Sequence, residues 1–173
     1  MSAPVVAAAS LAAVLLIMVA ELMVSRRNER RLLARGAVEP FDPVYRTMRW
    51  AYPGVFAAMA VEGAAAGPPP GVLTAAGIAV FIAAKALKFW AIAVLGTRWT
   101  YRVLVLPGVP LVSRGPYRRM RHPNYVAVLG ELAGFALLTG ALIAGPVGTV
   151  FFAYLLHHRV RAEERALGDA VRR

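Results

Sequence analysis

Two stretches of this chain hold side chains whose types and spacing suit chemistry. The first runs from Leu111 to Glu131, LVSRGPYRRMRHPNYVAVLGE, and gathers Tyr117, Arg114, Arg118, Arg119, Arg121, a His122-Pro123 pair and Tyr125 before an apolar run that contains Glu131. The second, HHRVRAEERAL from 157 to 167, places Arg159 four residues before Glu163 and Arg161 four before Arg165. On a helix, each of those pairs shares one face. The two segments stand at opposite ends of one helical hairpin, so the His122-Pro123 turn and the Arg159/Glu163 face can approach one another and enclose a polar site. Proline disfavours helix at the residue before it and is tolerated at a helix start, so Pro123 can open a helix. The backbone N–H groups of Asn124, Tyr125 and Val126 would then form a partly positive end suited to a carboxylate. The plainer alternative is that the arginines hold the loop against anionic headgroups, with Tyr117 and Tyr125 as interfacial aromatics and 157–167 as an exposed, ion-paired helix. Glu131 lies about two turns into its helix. A carboxylate in hydrocarbon should face the bundle interior, be protonated, or pair with a cation such as Lys85 or Lys88.

The elements that must position these residues are membrane helices. Of the 173 residues, 59% are hydrophobic and 17% charged, and the apolar residues come in long blocks, the pattern of an integral membrane protein. A net charge of +11 could otherwise suggest nucleic acid, but these arginines punctuate apolar runs instead of forming a patch on a soluble fold, so no nucleic-acid partner is expected. Cysteine is absent, which excludes disulfides, thiolate nucleophiles and zinc-thiolate sites, and no metal site is expected at His157 and His158.

A span needs ~20 apolar residues, and five stretches qualify or nearly do: 4–24, 48–66, 72–94, 125–139 and 144–158, the last two short enough to form a hairpin. The expected fold is therefore all-α, a polytopic helical bundle of about five transmembrane helices forming one domain over 1–173. The first stretch has no positive segment before it and SRRNERRLLARG after it, so it reads as a retained span with its N-terminal end outside the cytoplasm. Every arginine falls between the first and second stretches or, as Arg49, at the cytoplasmic edge of the second, between the third and fourth, or after the fifth, where Arg172 and Arg173 stand. The other two connections carry no Lys or Arg, which places the arginines and both candidate segments in the cytoplasm by the positive-inside rule. Lys85 and Lys88 lie within the third block and are expected to snorkel toward the cytoplasmic interface; Glu21 and Glu62 are nearer helix ends and are expected to reach water. GAAAG at 63–67 and GELAG at 130–134 have the small-xxx-small spacing that permits close helix approach.

The motifs, in order, resemble the isoprenylcysteine carboxyl methyltransferase family, whose pattern is close to LV-x-x-G-x-Y-x-x-x-RHP-x-Y, a helical hairpin, then R-x-x-x-E-E-x-x-L. The likeness covers residues 95–167, and RRNERRLLARGAVE after the first span is similar to bacterial members. The resemblance implies a polytopic enzyme of a bacterial inner membrane that uses S-adenosylmethionine to methylate an oxygen, carboxylate or hydroxyl, of a lipophilic acceptor. Carried over residue by residue, the cofactor-binding set is Leu111, Val112, Tyr117, His122, Pro123, Asn124, Tyr125 and Glu163, and Arg159 matches the arginine that faces the substrate's carboxylate. LGTRWTYRVLVLPGVPLV and Glu131 look more like bacterial relatives that O-methylate long-chain alkylpyrones or alkylresorcinols; for such a hydroxyl, Glu131 would position or deprotonate the nucleophile. The competing readings are a membrane reductase, which the short chain disfavours, and a non-catalytic membrane adaptor.

Overall fold

The computed structural model describes residues 2–171; Arg172 and Arg173, assigned to the cytoplasmic side above, lie outside them. Among the described residues five α-helices carry the fold: α1 (Ala3–Ala34), α2 (Tyr45–Ala66), α3 (Gly71–Leu95), α4 (Pro123–Thr139) and α5 (Ala144–Val171). Short 3₁₀ turns at Gly96–Arg98 and Gly115–Arg118 punctuate the long connection between α3 and α4. Among the described residues the extended pairing is a single bridge, Val38 with Val105, which ties the α1–α2 connection to the α3–α4 connection. The expected all-α fold with a terminal helical hairpin is therefore present. α1 and the stretch Gly71–Arg98 are long and apolar enough to cross a membrane, and α4 is a shorter apolar helix.

α1 and α5 run about a dozen residues past their apolar blocks, because RRNERRLLA and RVRAEERAL are built from strong helix formers. Pro123 does open α4, with His122 as its N-cap residue. The hairpin turns at Gly140, whose φ of +71° is the left-handed conformation glycine adopts freely. Glu62 receives the beginning of α5: its carboxylate accepts the N–H groups of Ile143 at 2.9 Å and Ala144 at 2.6 Å, where an acid complements the helix dipole.

The seam that decides the site is α3 against α4. A Cβ on Gly77 would meet the backbone of Leu138 and Gly134, one on Gly134 the backbone of Phe81 and Gly77, and one on Gly130 the Cβ of Ala84. The two backbones are therefore in near contact along Gly77, Phe81 and Ala84 on one side and Gly130, Gly134 and Leu138 on the other. The GELAG spacing is an internal seam, and Gly63 of GAAAG meets Thr139 at the other end of α4 in the same way. On the opposite flank of α4 an aromatic cluster fills the bundle: Phe56 meets Phe135 edge-on at 4.9 Å, and Tyr52 meets Phe56 at 5.1 Å and Phe152 at 5.0 Å. Such pairs contribute about 0.5–1.5 kcal/mol each beyond their area. The outward faces carry exposed Leu16, Met23, Ile82, Trp90, Val147 and Val150, apolar surface of the kind hydrocarbon covers.

Candidate active site

The two candidate segments meet. Tyr125, in the first turn of α4, sends its hydroxyl between Arg159 and Glu163 of α5, donating to Glu163 Oε2 at 2.7 Å and accepting from Arg159 Nε at 3.0 Å. One hydroxyl thus satisfies both members of the i,i+4 pair, and the face they share is turned toward the start of α4. The His122 ring stacks on Tyr125 with centroids 5.3 Å apart and planes 10° apart. Its Nδ1 lies 3.7 Å from Glu163 Oε2 and its Nε2 3.5 Å from Glu164 Oε1. Arg121 adds a pair with Glu164 at 3.2 Å, and the His122 and Arg121 contacts hold the Glu164 carboxyl below the usual carboxylate range. Tyr117, half-buried in the 3₁₀ turn, lies near the same Glu163; burial, and then that carboxylate, push its hydroxyl above the ordinary range.

Arg159 is only 6% exposed, and its guanidinium is fixed on every side. Nη1 lies 3.4 Å from Asp42 Oδ2, Nη2 donates to the Tyr101 carbonyl oxygen, and the cation sits over the rings of Tyr45 at 5.7 Å and Tyr125 at 6.0 Å. A guanidinium has five N–H donors, so donors remain for an incoming oxyanion. Asp42 is itself held by the N–H groups of Val44 and Tyr45, each 3.1 Å from its Oδ1. Its carboxylate therefore faces Arg159 from the beginning of α2. The sequence reading missed Asp42; its only local signal is an acid before a helix, and its partner is distant in the chain.

The other expected site residues fall less tightly. Asn124 turns its Oδ1 toward Trp99 Nε1, 3.5 Å away. Of the three N–H groups expected to be free at the start of α4, those of Tyr125 and Val126 already donate to the His122 carbonyl, which leaves the one on Asn124. Pro123 is buried beneath the His122 turn. Leu111, exposed, and Val112, half-buried, lie on the extended approach to the 3₁₀ turn. Arg98 pins that approach by donating to the Pro110 carbonyl at 2.7 Å.

Glu131 is not brought to the Arg159 cluster. It is 0% exposed and belongs to a second constellation with Glu21 of α1 and Lys85 and Lys88 of α3. Lys85 Nζ lies 3.0 Å from Glu21 and 2.8 Å from Glu131; Lys88 Nζ lies 2.7 Å from Glu21 and 3.4 Å from Glu131. Tyr52 donates to Glu131 at 2.6 Å and Tyr101 to Glu21 at 2.9 Å. The pairing of Glu131 with the lysines matches one sequence expectation and overturns two others. Lys85 and Lys88 do not snorkel, and Glu21 does not reach water: they are 6%, 1% and 4% exposed. The physical reason is the glycine seam, which sets Glu131, beside Gly130, against the lysine face of α3. Two carboxylates then balance two ammonium groups inside the bundle, removing the need to reach water.

Residues 77–169 match the isoprenylcysteine carboxyl methyltransferase (ICMT) family. The chain is 34% identical over 150 residues to the uncharacterized protein YpbQ of Bacillus subtilis, covering 87% of this chain and 89% of that one. It is 27% identical over 157 residues to an uncharacterized protein of Haemophilus influenzae, covering 90% and 91% of the two chains. No solved structure matches. With the His122–Tyr125 turn and the Arg159–Glu163 face joined as they are within the matched region, this chain belongs to the isoprenylcysteine carboxyl methyltransferase family.

Proposed function

We propose that the protein is a membrane enzyme that transfers a methyl group from S-adenosylmethionine to an oxygen, carboxylate or hydroxyl, of a lipophilic acceptor, with all five helices spanning a bacterial inner membrane and the site at its cytoplasmic face. The observation that carries this reading is the single Tyr125 hydroxyl bridging Arg159 and Glu163 beside the stacked His122 ring, inside a family match. The residues present fit the cofactor. Glu163 and Glu164 offer carboxylates to a cationic amine, the His122, Tyr125 and Tyr117 rings offer flat apolar faces, and the Asn124 N–H is open to a carboxylate.

S-adenosylmethionine supplies an electrophilic methyl on a sulfonium. Displacement from such a centre requires alignment and exclusion of water more than acid–base work. Arg159 supplies the alignment on the acceptor side: a buried cation held by Asp42, Tyr125 and the Tyr101 carbonyl presents its remaining donors to an oxyanion in a fixed plane. A carboxylate acceptor is already ionised near neutral pH and needs no base. The apolar tail of the acceptor would stay among the exposed apolar helix faces.

Binding of S-adenosylhomocysteine to detergent-purified protein, followed by calorimetry, tests the donor half. Glu163→Ala and His122→Ala should each weaken it at least tenfold, and wild-type protein that binds neither methyl donor nor product defeats the proposal. Radiolabelled methyl donor added to membranes tests the acceptor half: base-labile label identifies a methyl ester, stable label an ether of the kind an alkylpyrone or alkylresorcinol would give.

A further inference from the structure

The buried tetrad and the Arg159 cluster share one residue. Tyr101 follows the 3₁₀ turn after α3, and three of its polar atoms are held by two other elements. Its hydroxyl donates to Glu21 Oε2 at 2.9 Å and its backbone N–H to Ser25 Oγ at 2.8 Å. Its carbonyl oxygen accepts from Arg159 Nη2. Glu21 and Ser25 are one turn apart on α1, so the tyrosine is gripped at two points by one helix face. Asn28, the next residue of that stripe, donates to the Trp99 carbonyl at 2.8 Å and to the Gly96 carbonyl at 3.2 Å, and Trp99 packs edge-on against Tyr101 at 5.3 Å. Burial, and then the neighbouring Glu21 carboxylate, push the Tyr101 hydroxyl far above its ordinary range. It therefore stays a donor at any working pH.

We propose that Tyr101 is a positioning residue, fixed by Glu21 and Ser25, that sets the plane of the Arg159 guanidinium through its backbone carbonyl. The tetrad then has a purpose beyond neutralising itself. Glu21 can hold the Tyr101 hydroxyl within the bundle because two lysines balance its charge and fix its carboxylate in place. Asp42, paired with Arg159 by charge, and Tyr125, which accepts from its Nε, stand at helix starts; the Tyr101 carbonyl lies on an irregular segment with no helix to stiffen it, and α1 supplies the missing rigidity. The assignment of Arg159 to the acceptor rests on the proposed function, whereas the mechanical link from Tyr101 to Arg159 does not.

The test uses the full chain in detergent, labelled with ¹⁵N-arginine, with the Arg159 Nε–H resonance assigned by its loss in Arg159→Lys. Tyr101→Phe keeps the ring and the carbonyl and removes only the hydroxyl; Ser25→Ala releases the second tether and serves if the first variant folds poorly. Each is expected to speed exchange of the Arg159 Nε–H about tenfold while the melting temperature stays within a few degrees of wild type. Unchanged exchange in a folded Tyr101→Phe protein overturns the proposal. In a second arm, label transfer from radiolabelled S-adenosylmethionine to an extract of the host membrane's lipids is titrated against lipid. Tyr101→Phe should raise the half-saturating lipid concentration several-fold and leave the dissociation constant for S-adenosylhomocysteine within twofold. A merely structural residue would weaken both together, and that result also overturns the proposal. Wild-type protein that transfers no label counts against the proposed function alone, since the exchange arm still decides the role of Tyr101.

Discussion

Replacing Lys88 by methionine is the sharpest probe of the buried tetrad. Lys88 lies 2.7 Å from Glu21 and 3.4 Å from Glu131, with side chains 2%, 4% and 0% exposed, so solvent screens these pairs little. At an effective dielectric constant of about 20, unit charges at those separations attract by about 6 and about 5 kcal/mol. Repulsion from Lys85 and the cost of desolvating the ammonium offset most of this sum, and removal of one partner from a buried pair typically costs about 3–5 kcal/mol because a charge is left uncompensated. Lys88→Met leaves two carboxylates and one ammonium and should destabilise by that amount. Glu131→Gln leaves two ammonium groups and one carboxylate and should cost a similar amount. The double variant restores balance, with Lys85 and Glu21 still 3.0 Å apart, and the introduced methionine side chain approximates the volume of the lost lysine. It should therefore be more stable than the sum of the singles predicts by at least about 2 kcal/mol. Equilibrium unfolding of all four proteins in mixed micelles measures the cycle. Singles that cost under about 1 kcal/mol, or a double variant equal to the sum of the singles, would refute the reasoning that the four groups form one neutral unit.

Gly134→Ala should destabilise by about 1–3 kcal/mol through overpacking, because the new Cβ meets the backbone of Phe81 and Gly77; a melting curve that matches wild type would show the seam to be looser than described. Asn28→Ala orphans the Trp99 carbonyl and leaves the Gly96 carbonyl with only the Trp99 N–H, which should cost about 1–3 kcal/mol, with tryptophan emission shifted to the red as this segment loosens. Glu164 has its carboxyl held low by His122 and Arg121, so its contribution is present above the unfolded glutamate pKa of about 4.3 and is lost as pH falls through the lower folded value. The melting-temperature difference between wild type and Glu164→Gln should accordingly shrink as pH falls below about 4; a difference that grows as pH falls below about 4 contradicts that sign.

Helix positions and the order of the motifs were legible in the chain because they depend on local quantities. Apolar block length fixed α2, α3 and α4 closely and the beginnings of α1 and α5, Pro123 marked the start of α4, and the four-residue spacing of Arg159 and Glu163 put them on one face whatever the rest of the fold did. That face meets the His122–Tyr125 turn because the short hairpin allows few other arrangements. The same local logic misjudged Lys85, Lys88 and Glu21. Each was read from its own depth in its own helix, where reaching for water is the natural escape for a charge, and no local pattern announces a partner on another helix.

What the sequence by itself determined, then, is which residues share a helix and a face, and on which side of a membrane the arginines are expected to lie, because periodicity, span length and charge distribution are properties of segments. Only the tertiary structure decided which faces meet. Glu131 reaches the lysines because glycines at 77, 130 and 134 let α3 and α4 close to backbone contact, and Asp42 reaches Arg159, and Tyr101 joins the two clusters, because α1 and α2 pack where they do. Those contacts depend on the rotation and separation of whole helices, which small residues permit but do not by their spacing alone specify.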